Sequence, residues 1–118
     1  MKNILVIEDE ADICDIITII LEDEGYKVRS LSTADHYKIR LKESYPDLVL
    51  LDLNIAGFNG QIICEYIKSQ FDLKTIPVIL MSANINAAKV KEVCGAEDLL
   101  EKPFDIISLV NKVRALAA

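Results

Sequence analysis

The stretch Leu48-Val49-Leu50-Leu51-Asp52, followed by Leu53-Asn54-Ile55-Ala56-Gly57-Phe58-Asn59-Gly60, decides the architecture. The apolar run Leu48 to Leu51 shows no alternation and is too short for a helix. That is the pattern of a strand covered on both faces. A carboxylate closes it, and a Gly-containing loop through Gly57 and Gly60 follows.

Working outward, the same grammar repeats. Asn3 to Ile7 is a second short, nearly all-apolar strand. Ile13, Ile16, Ile17, Ile20 and Leu21 fall at i, i+3, i+4, i+7 and i+8, the stripe of an amphipathic helix that Gly25 stops. Tyr26 to Ser30 alternates and suits a half-exposed edge strand. Ser32 to Asp35 has capping-box spacing and opens a helix through about Lys42, ended by Pro46. Downstream, Ile62, Ile63, Tyr66 and Ile67 share one face of a third helix. Pro77 to Met81 is a strand with proline tolerated at its first position. A short helix carries Ala87, Val90, Val93 and Cys94 and stops at Gly95. Asp98 to Leu100 is a fifth strand, and Asp105 caps a last helix with Ile106, Leu109, Val110 and Val113 inward. Strands alternating with helices give an α/β fold, one five-stranded parallel sheet with helices on both faces. The alternation alone leaves the strand order open.

At 118 residues, 52% of them hydrophobic, the chain suits one domain, 1–118, with a real core. Its net charge of -6 and pI of about 4.7 make it a poor ligand for nucleic acid or an anionic membrane. The opening apolar run meets Glu8-Asp9-Glu10 too soon for a signal peptide, and no apolar stretch reaches membrane-spanning length, so a cytoplasmic location is expected. Cys14, Cys64 and Cys94 are odd in number and far apart, and read as small buried hydrophobes in helices. His36 reads as a surface residue.

Ligands of open α/β sheets bind beyond the carboxyl ends of the strands. Glu8 and Asp9 follow the first strand, Asp52 the third and Ser82 the fourth; Lys102 lies just past the fifth. Any one of these acids would ordinarily be a turn or helix-start residue. Gathered on one rim, three carboxylates repel one another unless a cation sits among them. Mg²⁺ suits such oxygen ligands. An aspartate in that cluster can attack phosphorus, with the metal and Lys102 taking up charge on the transferring group.

In their order along the chain, Glu8-Asp9, the segment Leu51 to Gly60, Ser82-Ala83 and Lys102-Pro103-Phe104 resemble the receiver domain of two-component response regulators, over nearly the whole chain. The resemblance implies a flavodoxin-like, doubly wound sheet of order 2-1-3-4-5, an order for which the family is itself a standard example. It implies Asp52 as phosphoacceptor and Asp9 as a direct Mg²⁺ ligand, with Glu8 acting directly or through water. The backbone carbonyl of Asn54 completes the protein ligands. Ser82 hydrogen-bonds the phosphoryl group, Lys102 pairs with Asp52 and then with phosphoryl oxygens, and the Lys102-Pro103 bond is cis. The implied partners are a sensor histidine kinase or phosphotransfer protein and a downstream protein target, with a weak homodimer left open. The chain then assists its own phosphorylation and dephosphorylation without being an enzyme on other substrates.

Four positions depart from the family pattern. Glu8 stands where many members have aspartate, and Ala56 replaces a frequent proline, which loosens the loop after Asp52; the short span from Ser82 to Gly95 and Leu99, where an aromatic is usual, bear on output. A dehalogenase-type phosphatase needs a second aspartate two positions after the nucleophile, and Asn54 cannot serve. A nucleotide or flavin binder needs a phosphate-cradling loop after the first strand, where Glu8-Asp9-Glu10 repels phosphate. The remaining rival is an interaction module of the same fold that works without phosphorylation.

Overall fold

β3 (Leu48–Asp52) lies at the middle of a single parallel sheet, with every residue buried. The computed structural model describes residues 2–84 and 86–117. β1 (Asn3–Ile7) pairs with β3 on one side, Ile4 opposite Leu48, and with β2 (Lys27–Leu31) on the other. β4 (Val78–Ser82) and β5 (Asp98–Glu101) complete the order β2-β1-β3-β4-β5. The helices α1 (Ala11–Asp23), α2 (Tyr37–Ser44), α3 (Gly60–Ser69), α4 (Ala87–Cys94) and α5 (Ile106–Leu116) alternate with them.

Period-two alternation splits the sheet's side chains between two cores. Ile4, Val6, Leu48, Leu50, Ile79 and Met81 pack under α1 and α5 through Ile17, Leu21, Leu109 and Val113. Leu5, Ile7, Val49, Leu51, Val78 and Leu80 pack under α2, α3 and α4 through Leu41, Ile63, Ile67 and Cys94. Each fully buried Leu or Ile contributes about 1.5–3 kcal/mol by leaving water, so a strand such as β3, buried on both faces, contributes to both layers.

The helical stripes are narrower than their periodicity predicts. Ile16 (50% exposed), Ile62 (58%), Val93 (67%) and Ile106 (60%), all expected inward, face solvent. Cys14 and Cys64 occupy inner positions beside the displaced isoleucines. A helix lying on a sheet buries one strip, and an apolar residue at its margin stays wet. The capping box at Ser32 to Asp35 does not form. Thr33 Oγ1 accepts the Asp35 N–H at 3.1 Å, and the helix begins at Tyr37 after His36 turns left-handed (φ 60°). His36 is exposed and all three cysteines are buried free thiols, as expected.

Opposite the carboxyl rim, Lys68 of α3 acts as a clip. Its ammonium donates to the carbonyl of Ile76 at 2.8 Å, that of Lys74 at 3.3 Å and the Glu97 carboxylate at 2.8 Å. Glu97 in turn accepts the Val78 N–H at 2.8 Å. One side chain thus joins the end of α3, the start of β4 and the turn before β5.

Candidate functional site

The alternation that buries Ile4 and Val6 carries on to Glu8, and that of Leu48 and Leu50 to Asp52. Leu100 leads likewise to Lys102. All three reach the rim on the α1/α5 side of the sheet. Glu8 (0% exposed), Asp52 (4%) and Ser82 (2%) are the buried polar side chains among the described residues. The strand ends are locked in step: the Lys102 N–H donates to the Ser82 carbonyl at 2.9 Å, and the Glu8 N–H to that of Leu31 at 3.0 Å.

Lys102 is the cation of the cluster. Its ammonium stands 2.8 Å from Glu8 Oε2 and 3.5 Å from Asp52 Oδ2. Burial drags its pKa down, but the hydrogen bond with Glu8 and the charges of Asp52 and Glu8 outweigh that, and the net shift is upward. Burial pushes Glu8 up; the Lys102 contact opposes this and the Asp52 charge adds to it, leaving Glu8 above the ordinary carboxylate range.

The remaining polar contacts are backbone amides. Asp52 Oδ1 accepts the Asn54 N–H at 3.1 Å, Asp9 Oδ2 that of Ala56 at 3.0 Å, and Glu8 Oε1 that of Glu10 at 3.2 Å. Glu8 Oε2 is buried without an aligned donor, although the lysine is within ion-pair distance. The charge contact is the firmer description, because an ammonium rotates its protons freely. Ser82 Oγ accepts the Asn84 N–H at 2.9 Å, and Asn84 Oδ1 accepts that of Asn86 at 2.8 Å, a short ladder leading into α4.

Carboxylate oxygens of Glu8, Asp9 and Asp52 come within 4.8 Å of one another. All-oxygen donors and the mutual repulsion of three carboxylates that have one ammonium between them together suit a metal cation. Glu8, Asp9, Asp52, Ser82 and Lys102 all lie at this rim. Asp52 and Ser82 end their strands instead of following them. The Lys102-Pro103 bond is cis.

Two supporting residues were not singled out. Gly60 packs so tightly that a Cβ there would meet Leu53 Cα at 2.6 Å and the Asp52 carbonyl oxygen at 2.7 Å. Asn59 caps α3 by accepting the Gln61 N–H at 2.9 Å. The Asn-Gly pair just before the third helix was the available signal. Cys14 also donates from its thiol to the Glu8 carbonyl at 3.1 Å, which nothing in its spacing announces.

Residues 4–114 match the family model of the response regulator receiver domain. The chain is 32% identical over 116 residues to the DNA-binding response regulator MtrA of Mycolicibacterium paratuberculosis, covering 97% of this chain and 50% of that protein. It is 30% identical over 118 residues to the phosphate regulon transcriptional regulatory protein PhoB of Rhizobium meliloti, covering 98% and 52%. The chain thus spans about half the length of these curated relatives. Among solved structures, the signal receiver domain of a signal transduction histidine kinase from Syntrophus aciditrophicus superposes with a TM-score of 0.90 at 29% identity, covering 99% of this chain and 90% of that one.

Proposed function

The chain belongs to the response regulator receiver domain family, and from that premise we propose that it is a phosphoacceptor switch in a histidine-to-aspartate relay, with Asp52 as the acceptor. The observation that carries this reading is the buried Asp52 carboxylate sharing one ammonium with Glu8 beside Asp9. A Mg²⁺ held by Glu8, Asp9, Asp52 and the backbone carbonyl of Asn54 would neutralise charge on the transferring group.

The chain's own residues supply the rest. An Asp52 oxygen forms the new bond to phosphorus as the donor's P–N bond breaks, or its P–O bond when the donor is an acyl phosphate. The leaving group keeps the bonding electron pair; an imidazole leaves neutral with a proton from solvent, and a carboxylate leaves as the anion. The Asn54 N–H holds the Asp52 carboxylate in orientation during attack. Lys102 shifts its charge to the phosphoryl oxygens. Ser82 spends its lone pairs on the Asn84 N–H, which leaves its own O–H free to donate to the phosphoryl group.

Phosphorylation adds roughly -1.5 to -2 charge at this point. Ser82, drawn toward it, gives up Asn84 and so loosens the ladder into α4. Partners on this reading are a histidine kinase or phosphotransfer protein and a downstream protein target. The exposed Ile16, Ile19, Ile106 and Ile107 offer an apolar surface for such a protein. A phosphorylation-independent module would have no need of the buried acidic set with Lys102. Incubation with Mg²⁺ and acetyl phosphate should add one phosphoryl group, read by intact mass. Asp52→Asn and chelation should each suppress it, and full labelling of Asp52→Asn would overturn the assignment.

A further inference from the structure

Lys102 is one ammonium between two buried carboxylates, and it sits closer to the one that is not the acceptor: 2.8 Å from Glu8 against 3.5 Å from Asp52. The two carboxylates are not equivalent. Asp52 is oriented by the Asn54 amide at 3.1 Å, and Glu8 uses only Oε1 on a backbone amide. Its Oε2 is fully buried and, among the described residues, has Lys102 as its only neutralising contact. An uncompensated buried carboxylate is costly, so Glu8 holds the lysine firmly.

We propose that Glu8 is a lysine latch: it draws the shared Lys102 ammonium toward itself in the metal-free protein, weakening its pairing with Asp52, and lets it go when a divalent cation takes over the neutralisation of Oε2. This rests on the reading of Glu8, Asp9 and Asp52 as a Mg²⁺ site. Two cations cannot both serve one buried oxygen without repelling each other. The metal and the lysine therefore compete for Glu8, and their coupling is reciprocal. The consequence is an order of events. The side chain that must meet the phosphoryl oxygens is freed from Glu8 once the metal is in place, which links metal occupancy to the readiness of Lys102.

Mn²⁺ binding, followed by the loss of the free-ion paramagnetic resonance signal, tests the latch in a double-substitution cycle. Lys102→Met should bind Mn²⁺ roughly five- to tenfold more tightly than the unmodified protein, the lower range of ordinary coupling between sites. In a Glu8→Gln background the same change should gain less than about twofold, because no latch remains to be competed for. Equal gains in both backgrounds, or none in either, would overturn the latch. The unmodified protein gives a second measurement that needs no folding of variants. On titration with Mg²⁺, the side-chain carbon resonance of Lys102 should move with the same midpoint as the Asn54 amide. A lysine signal that stays still while that amide moves overturns the latch and leaves the metal site standing. Absence of Mn²⁺ binding and of any amide shift overturns the metal site, and the latch with it.

Discussion

Replacing Gly60 by alanine should injure the acceptor from behind. The new Cβ would lie 2.6 Å from Leu53 Cα and 2.7 Å from the Asp52 carbonyl oxygen, roughly 1 Å inside the optimal separation. Both obstacles are main chain, so no rotamer change relieves them, and the start of α3 must back away from the end of β3. Overpacking of this kind costs about 1–3 kcal/mol. The helix-propensity gain of alanine offsets at most about 1 kcal/mol. A net loss of about 1 kcal/mol, at roughly 4–6 °C per kcal/mol for a domain of this size, lowers Tm by about 4–6 °C. Chemistry should suffer more than stability, because the shifted peptide is that of Asp52 itself. A displacement of about 1 Å can cost on the order of a hundredfold in rate. Thermal unfolding by circular dichroism and the rate of Mg²⁺-dependent labelling by acetyl phosphate measure the two effects. Gly57→Ala is the control. Its backbone is left-handed (φ +79°) with nothing within 4 Å, so it should lose about 1 kcal/mol through the backbone alone and keep its labelling rate. A Gly60→Ala protein that melts within about 2 °C of the parent and labels as fast would refute the reasoning.

Three further outcomes follow from the structure. The thiols should be inert in the folded protein: burial, and then the Glu8 charge, raise Cys14 to about 11, and burial raises Cys64 further. An aromatic disulfide reagent should therefore find none of the three at neutral pH and all of them in denaturant; fast reaction of Cys14 when folded would count against this. Asp105 caps α5 by accepting the Ser108 N–H at 2.7 Å, which holds its pKa below 3.8. Because the folded value is depressed, its stabilisation is complete above the unfolded pKa and is lost as pH falls through the folded one. The Tm difference between the parent and Asp105→Ala should shrink below about pH 4, and a constant difference would contradict the cap. Finally, beryllofluoride with Mg²⁺ should move amides from Ser82 to Asn86 while Leu99, packed against the α3/α4 core, keeps its rotamer. A large change at Leu99 beside a still Ser82 loop would sink that route.

Strands were the most legible part of the chain because continuous apolar runs leave little choice. Asn3–Ile7 stands as read, and β3, β4 and β5 each extend one residue further at the carboxyl end, β4 starting one later. Those added residues include Asp52 and Ser82. A polar side chain ending a buried run looks like the start of a loop, and only the ladder of a neighbouring strand shows that it still pairs. Helix faces were less legible. In α1, Cys14 and Ile16 are equally apolar to a periodicity argument, and only the sheet beneath chooses between them. The members of the site could be named from the strand ends, whereas the pairing of Lys102 with Glu8 depends on side-chain reach from past β5 to past β1, over β3 and β4. The tight seat of Gly60 likewise depends on how α3 meets β3, which no spacing encodes.

The Lys68 clip has a mechanical consequence. It fixes Glu97 just past the foot of α4, and the Cys64 thiol reaches the Cys94 carbonyl there at 3.5 Å. Among the described residues the polar ties at the head of the helix come from Asn84 and Asn86, beside Ala87, which is seated in the core. A rod of eight residues is about 12 Å long. Pinned at one end, it turns a pull on the other into rotation: a 2 Å displacement at its head swings it by roughly 10° at that length. The shortness of α4 makes the swing larger for a given pull than a longer helix would allow. On the proposed switch reading, a small event at Ser82 would be read out as a change of angle on the outer surface.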